Sequence, residues 1–173
     1  MATTRCPQQL ITSNLRRADL ELKSQATREF DVTLNYIGGY AFANQASEHG
    51  APSGDIYVSD EPDPVGKNSG PSTPSMLGSS VAHCLSASLL EHMRAYGCPA
   101  PEGCIKTEAR ITVHRGTEGL PRIRQIDVNI QANDSGALTP QMRASIERSY
   151  KKHCTVSASL APAFPIQTEI TWL

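Results

Sequence analysis

The chain has 173 residues, of which 19% are charged, and a formal net charge of −1. This length supports one well-buried core, and the near-neutral balance offers no basic surplus for a phosphate backbone, so no nucleic-acid partner is expected. No apolar run approaches the roughly 18 residues of a membrane helix, and the opening MATTRCPQQLITSNLRRADLELK lacks the apolar core of a secretory signal, which predicts a soluble, cytoplasmic protein with no membrane partner.

Residues 1–28 are polar, with a weakly amphipathic stretch around Leu10, Ile11, Leu15, Leu20 and Leu22. They are expected to form an N-terminal extension to a domain spanning 29–173. Phe30, Val32, Leu34 and Tyr36 then alternate with polar residues, as a half-buried strand does. Gly38-Gly39 predicts a turn, Tyr40-Ala41-Phe42 begins a returning strand, and a short strand is expected over 55–58. The stretch DEPDPVGKNSGPSTP, residues 60–74, has the composition of an irregular loop, and its length suggests a functional one.

A helix start follows, with Thr73 as N-cap and Pro74 at the first helical position. Leu77, Val81, Cys84, Leu85, Ser88, Leu89, His92 and Met93 share one helical face, and Gly97 with Pro99 marks the stop. Ile105, Thr107, Ala109, Ile111 and Val113 alternate as a strand. A turn at 116–119 leads to a second strand with Ile126, Val128 and Ile130 inward. Thr139-Pro140 repeats the cap-plus-proline signal before a helix carrying Met142, Ile146 and Tyr150. Ile166, Thr168, Ile170 and Trp172 predict a closing strand. Strands joined by tight turns imply antiparallel pairing, so the expected class is α+β.

Five cysteines (Cys6, Cys84, Cys98, Cys104 and Cys154) are an odd count in a chain without an export signal. A structural disulfide framework is disfavoured, and any disulfide is expected to be transient and redox-active. On periodicity alone Cys84 reads either as a small buried hydrophobe or as a reactive thiol. Cys154 follows Lys151-Lys152-His153, cations that suit a helix end and can also stabilise a thiolate. A zinc site is disfavoured. Neighbouring helical residues point about 100° apart, which separates His83 from Cys84, and five residues separate Cys98 from Cys104, wider than a common zinc knuckle. His83, His92, His114 and His153 sit in no catalytic motif, and there is no Walker loop, dinucleotide GxGxxG, GxSxG elbow or HExxH.

The run GPSTPSMLGSSVAHCLSASLLEHMRAYG, the alternating strands after it, and the helix ending in HCTVSASL resemble the OsmC/Ohr family, that is, osmotically inducible protein C and the organic hydroperoxide resistance proteins. The resemblance covers roughly residues 29–171. It implies an α+β fold in which antiparallel sheets pack around two central helices in an intertwined homodimer. By it, Cys84 matches the peroxidatic cysteine and Cys154 the resolving one, in a peroxidase that reduces organic hydroperoxides to alcohols in oxidative-stress defence. It implies no bound cofactor or metal, the reductant being an external dithiol, of lipoyl type in many members. Tyr40, Ser75 and Met76 match the substrate pocket. Ser75 stands where characterised peroxidases carry a glutamate, Tyr40 where they carry an arginine, and Arg28 precedes the first strand. These two departures leave a second reading, a redox-responsive or small-ligand-binding dimer that keeps the cysteine pair without peroxidase activity.

Overall fold

The computed structural model describes residues 28–116 and 118–173. The expected N-terminal extension, save Arg28, lies outside the described residues, as do Cys6 and Thr117 of the 116–119 turn. The chain divides between Leu77 and Gly78 into two compact units.

The first unit is an antiparallel sheet of three strands in the order β1-β2-β3. They are β1 (Phe30–Gly38), β2 (Ala41–Glu48) and β3 (Ala51–Ser59). Gly38 and Gly39 turn the chain with φ of 119° and 61°, conformations that side chains with a Cβ disfavour. The second hairpin turns at His49 and Gly50, with φ of 53° and 78°, the two positive angles of a tight hairpin turn. This short signal makes β3 longer than the expected 55–58. Pro52 sits on β3, an edge strand, where its missing N–H breaks no ladder. The expectation of a half-buried β1 does not hold in the single chain. Phe30, Val32, Leu34 and Tyr36 are 52–66% exposed, so their shared apolar face is uncovered.

The loop at 60–72 is organised by one buried carboxylate. Asp60 accepts from the backbone N–H groups of Glu61 (2.8 Å), Lys67 (3.0 Å) and Ser69 (3.1 Å) and from the Ser69 hydroxyl (2.8 Å). These bonds, the Ser69 hydroxyl foremost, hold its pKa down at about 2. Gly70 passes so close to the Val58 carbonyl that a Cβ would collide with it. Composition therefore reads this segment correctly as irregular, while its order comes from a side chain at the end of β3.

Helix α1 (Thr73–Ala95) begins at Thr73 itself, the expected cap, one residue before the expected first helical position at Pro74. Val81, Leu85, Ser88, Leu89, His92 and Met93 of the expected stripe are buried, while Cys84 is half-buried. Gly97 (φ 78°) ends the helix, and the Cys98 N–H reaches back to the Met93 carbonyl at 3.0 Å.

The second sheet contains β4 (Ile105–Arg115), β5 (Pro121–Ala132) and β6 (Ile166–Trp172), in the order β4-β5-β6. Ile126, Val128, Ile130 and Ala132 of β5 join Val81, Leu85, Leu89 and Met93 of α1 among the most buried side chains. β4 and β5 pair antiparallel, but β6 joins β5 in parallel, from Ile126 opposite Ile166 to Ala132 opposite Trp172. The reason is the connection. β5 and β6 are joined by a crossover of helix α2 (Pro140–Ser149), a 3-10 turn (Tyr150–His153) and helix α3 (Thr155–Leu160), which returns the chain in its original direction. Thr139 caps α2 by accepting from the Met142 N–H at 3.3 Å, as its cap-plus-proline signal predicts. Asp134, fully buried, accepts from Arg143 Nε at 2.8 Å and from a terminal guanidinium nitrogen at 3.0 Å, tying the end of β5 to α2.

Candidate thiol site

Cys84 lies about three turns into α1, at the margin of its buried stripe. The residues around it are small, and Ser86, about 200° round the helix from Cys84, donates to the Ala82 carbonyl at 2.8 Å and meets Thr107 Oγ1 of β4 at 2.6 Å. This contact fixes the helix rotation relative to β4. Further along, Ser88 donates to the Tyr150 carbonyl of the crossover, and the Tyr96 hydroxyl donates to Ser145 Oγ of α2 at 2.9 Å.

Cys154 is fully buried. It stands between the 3-10 turn and α3, and its sulfur caps α3 by accepting from the Ser157 N–H at 3.3 Å. The position is thus a helix start as much as a helix end. Of the basic residues before it, Lys151 lies over the Tyr150 ring at 6.0 Å, Lys152 is exposed, and the His153 ring packs against His92 with centroids 5.1 Å apart.

The two thiols are neighbours. Burial pushes the Cys84 thiol up, and the adjacent Cys154 sulfur pushes it further, while the backbone N–H groups of Val156 and Thr155 act in the opposite direction. These opposing influences define the chemistry of the site. The first turn of α3 supplies the groups that favour a Cys84 thiolate, and among the described residues none of the leading influences on Cys84 comes from a cationic side chain. Sequence reasoning missed these amides, because backbone donors have no side-chain signature. The only local hint was a cysteine followed by the small residues of TVSASL.

The other candidates fall elsewhere. Tyr40 is in the β1–β2 turn and 56% exposed. Ser75 is in the first turn of α1 with its hydroxyl 3.1 Å from that of Ser72, and the Met76 N–H donates to the Ser72 carbonyl at 2.9 Å. All three belong to the first unit, whereas Cys84 and Cys154 belong to the second. Arg28 stacks over the Phe30 ring at 5.2 Å. His83 and His114 are exposed. His92 is buried, with its Nδ1–H on the Ser88 carbonyl at 2.8 Å, and burial pushes its pKa down so that the ring is neutral. Among the described residues, no group of three or more His, Cys, Asp or Glu side chains could hold a metal ion.

The OsmC-like protein family matches residues 66–169, which include both cysteines and the crossover between them. The chain belongs to the OsmC-like protein family. No curated protein matches it. Solved structures share its fold at low identity. An OsmC-like protein of unknown function from Vibrio cholerae is 15% identical, with a TM-score of 0.63 over 85% of this chain and 100% of that one. An organic hydroperoxide resistance protein OsmC from Legionella pneumophila is 8% identical, with a TM-score of 0.61 over 85% and 99%. The organic hydroperoxide resistance protein OhrB of Bacillus subtilis is 12% identical, with a TM-score of 0.57 over 83% and 98%. At such identities the likeness establishes an OsmC-like α+β fold for this chain. No described helix is long and apolar enough to cross a membrane.

Proposed function

We propose that this OsmC-like protein is a thiol-dependent peroxidase that reduces organic hydroperoxides to alcohols in oxidative-stress defence. The supporting observation is the meeting of Cys84 and Cys154, far apart in sequence, beside the Val156 and Thr155 amides. The names of the Legionella and Bacillus neighbours agree with this reading.

In the proposed cycle the Cys84 thiolate attacks one peroxide oxygen. The O–O bond breaks, the alkoxide leaves and takes a proton, and Cys84 becomes a sulfenic acid. The Cys154 sulfur then attacks Cys84 Sγ, forming the Cys84–Cys154 disulfide with loss of water. An external dithiol, of lipoyl type in this proposal, reduces that disulfide by exchange and is itself oxidised to a disulfide. No bound cofactor takes part. The amides of Thr155 and Val156 stabilise the thiolate, and burial of Cys154 keeps it ready for attack on Cys84 alone.

The working form is proposed to be a homodimer. The uncovered face of Phe30, Val32, Leu34 and Tyr36 supports it, since an apolar row of that size normally has a partner. Tyr40, Ser75 and Met76 are proposed to contact the organic group of the substrate.

The test is consumption of cumene hydroperoxide and of H₂O₂ with dihydrolipoamide as donor, comparing wild type, Cys84→Ser and Cys154→Ser. Wild type is expected to prefer cumene hydroperoxide, and Cys84→Ser to be inactive. Equal consumption by wild type and Cys84→Ser rejects the proposal. A second reading is favoured by the absence, among the described residues, of a cationic side chain from the leading influences on Cys84: a redox-responsive or small-ligand-binding dimer, which predicts a Cys84–Cys154 disulfide but no turnover.

A further inference from the structure

A second pair of cysteines lies beyond the C-terminal end of α1, in the segment CPAPEGC, residues 98–104. The segment is pinned at both ends to neighbouring residues after β5. Cys98 is 4% exposed, and its thiol donates to the Asp134 carbonyl at 3.6 Å and to the Pro99 carbonyl at 3.3 Å. At the other end, the Cys104 carbonyl accepts from the Asn133 N–H at 2.8 Å, and the Cys104 N–H donates to the Pro101 carbonyl at 3.1 Å. Asn133 and Asp134 are adjacent, with Cα atoms about 3.8 Å apart across a trans peptide. The chain between the cysteines therefore leaves this point and returns to it. Cys104 is half-buried, so one thiol of the pair is reachable from solvent and the other is not.

Cys98 also responds to Cys104: burial pushes the Cys98 thiol up, and the negative charges of Asp134 and Cys104 add to that. A closed, short loop with a reachable and a sheltered thiol has the arrangement of an exchange couple, in which one sulfur is attacked from outside and the other resolves it. Pro99 and Pro101 limit the conformations of the loop and so lower the entropy lost on closing it.

We propose that Cys98 and Cys104 form a second redox couple, oxidised by thiol–disulfide exchange with a small-molecule disulfide. Cys104 loses its proton and attacks one sulfur of the external disulfide, whose S–S bond breaks to release one thiol. Cys98 then loses its proton and attacks Cys104 Sγ, releasing the second thiol. Two protein S–H groups become one S–S bond, and the external disulfide is reduced to two thiols. Oxidation removes the Cys98 donor from the Asp134 carbonyl and locks the 98–104 loop. That loop forms one wall, through Pro101, Glu102 and Cys104, of an open groove of about 600 Å³ whose other wall includes Ser86, Leu90 and Arg94 of α1. The redox state of the couple thus sets the shape of this groove. The proposal is independent of peroxidase activity at Cys84.

Trypsin cuts after Arg94 and after Lys106, which leaves both cysteines on one peptide, AYGCPAPEGCIK. The full-length protein is treated with glutathione disulfide, blocked with N-ethylmaleimide, digested without reductant and weighed by mass spectrometry. The expected product is peptide 95–106 lacking two hydrogens and carrying no maleimide. In Cys98→Ser, glutathione is expected to remain attached to Cys104. In Cys104→Ser, Cys98 is expected to carry none. The same loss of two hydrogens is expected when Cys84→Ser and Cys154→Ser are combined, which excludes transfer from the first pair. Maleimide on both cysteines after oxidation overturns the proposal, as does glutathione on Cys104 of the wild type with no internal disulfide. Loss of the internal disulfide in the Cys84→Ser/Cys154→Ser protein overturns it too.

Discussion

Ser88 donates its hydroxyl to the carbonyl of Tyr150, and this bond fastens α1 to the turn that delivers Cys154. Ser88 lies one helical turn beyond Cys84, and Tyr150 lies one turn before Cys154. The next turn of α1 carries His92, whose ring meets that of His153 in the crossover with centroids 5.1 Å apart, so a serine and a histidine on one stripe both contact the crossover. The distance between the two thiols therefore depends on polar groups that take no part in the sulfur chemistry.

Replacing Ser88 by alanine removes the donor and leaves the Tyr150 carbonyl short of a partner. A buried acceptor in that state costs about 1–3 kcal/mol. The urea midpoint of Ser88→Ala is expected to fall accordingly. Peroxide-driven formation of the Cys84–Cys154 disulfide should slow by roughly tenfold or more if the turn shifts, with the thiols themselves unchanged. An unchanged rate alongside lowered stability would remove Ser88 from the positioning of Cys154.

The ionisation of Cys84 gives a second prediction. Burial and the Cys154 sulfur hold its thiol above the ordinary range, so the thiolate is a small fraction near neutrality and grows with pH. Alkylation of Cys84 by iodoacetamide is expected to rise about tenfold per pH unit between about pH 6 and about pH 8, without a plateau. Cys154→Ala removes two influences that raise Cys84, so the same curve should move to lower pH. A shift to higher pH would show that the amides of α3 need Cys154 to stay in place.

Asp60 makes the order of the 60–72 loop sensitive to acid. Its pKa is lowered from 3.8 to about 2 in the folded chain. The unfolded carboxyl binds its proton first as pH falls, so the contribution is complete above the unfolded value and is lost as pH drops through the folded one. Hydrogen exchange at the Lys67 and Ser69 amides is expected to speed up, relative to intrinsic rates, between about pH 4 and about pH 2. Asp60→Ala should show the unprotected rates already at neutral pH. Retained protection in that variant would mean that backbone contacts, such as Asn68 N–H on the Glu61 carbonyl at 3.1 Å, suffice to hold the loop.

The Arg143–Asp134 pair gives the largest expected loss. Asp134 is fully buried, while the Arg143 side chain keeps 30% exposure and lies over the Trp172 ring at 5.4 Å. Removing Arg143 strands a buried carboxylate, which costs several kcal/mol in a dry site and less where the partner is partly solvated. Arg143→Met is expected to lose roughly 2–4 kcal/mol by chemical denaturation. Part of this should return at acid pH, because Arg143 holds the Asp134 pKa down and a protonated Asp134 no longer needs the cation. A deficit that is the same at acid and neutral pH would point to lost packing on Trp172.

Local patterns carried most of the fold. The inward sets of β4, β5 and β6, the stripe on α1 and the Thr139 cap are all short-range features, and they sit where periodicity or capping chemistry puts them, except Val113, which is 47% exposed where the β4–β5 register shifts between Thr112 and Val113. The parallel seat of β6 was not legible in the same way, since strand direction depends on what the crossover does. The β1 row shows the opposite limit. Alternation identifies Phe30, Val32, Leu34 and Tyr36 as apolar-face residues, but it does not say what covers that face. At the site, resemblance picked out Cys84 and Cys154, and only the folded chain brings the Val156 and Thr155 amides to Cys84. The anchoring role of Asp60 likewise depends on three backbone amides that sequence does not distinguish.

The parallel ladder between β5 and β6 sets an order of events. Cys154 sits in a crossover whose two ends are held by these strands, and β6 follows it in the chain. A nascent chain can wind α1 and close the β4–β5 hairpin before the crossover is made, so Cys84 is in place before Cys154 reaches it. Contacts of long sequence separation form late for the same entropic reason. The dithiol is thus completed only when the crossover docks on α1, and a chain stalled before that step holds one thiol of the pair without its neighbour.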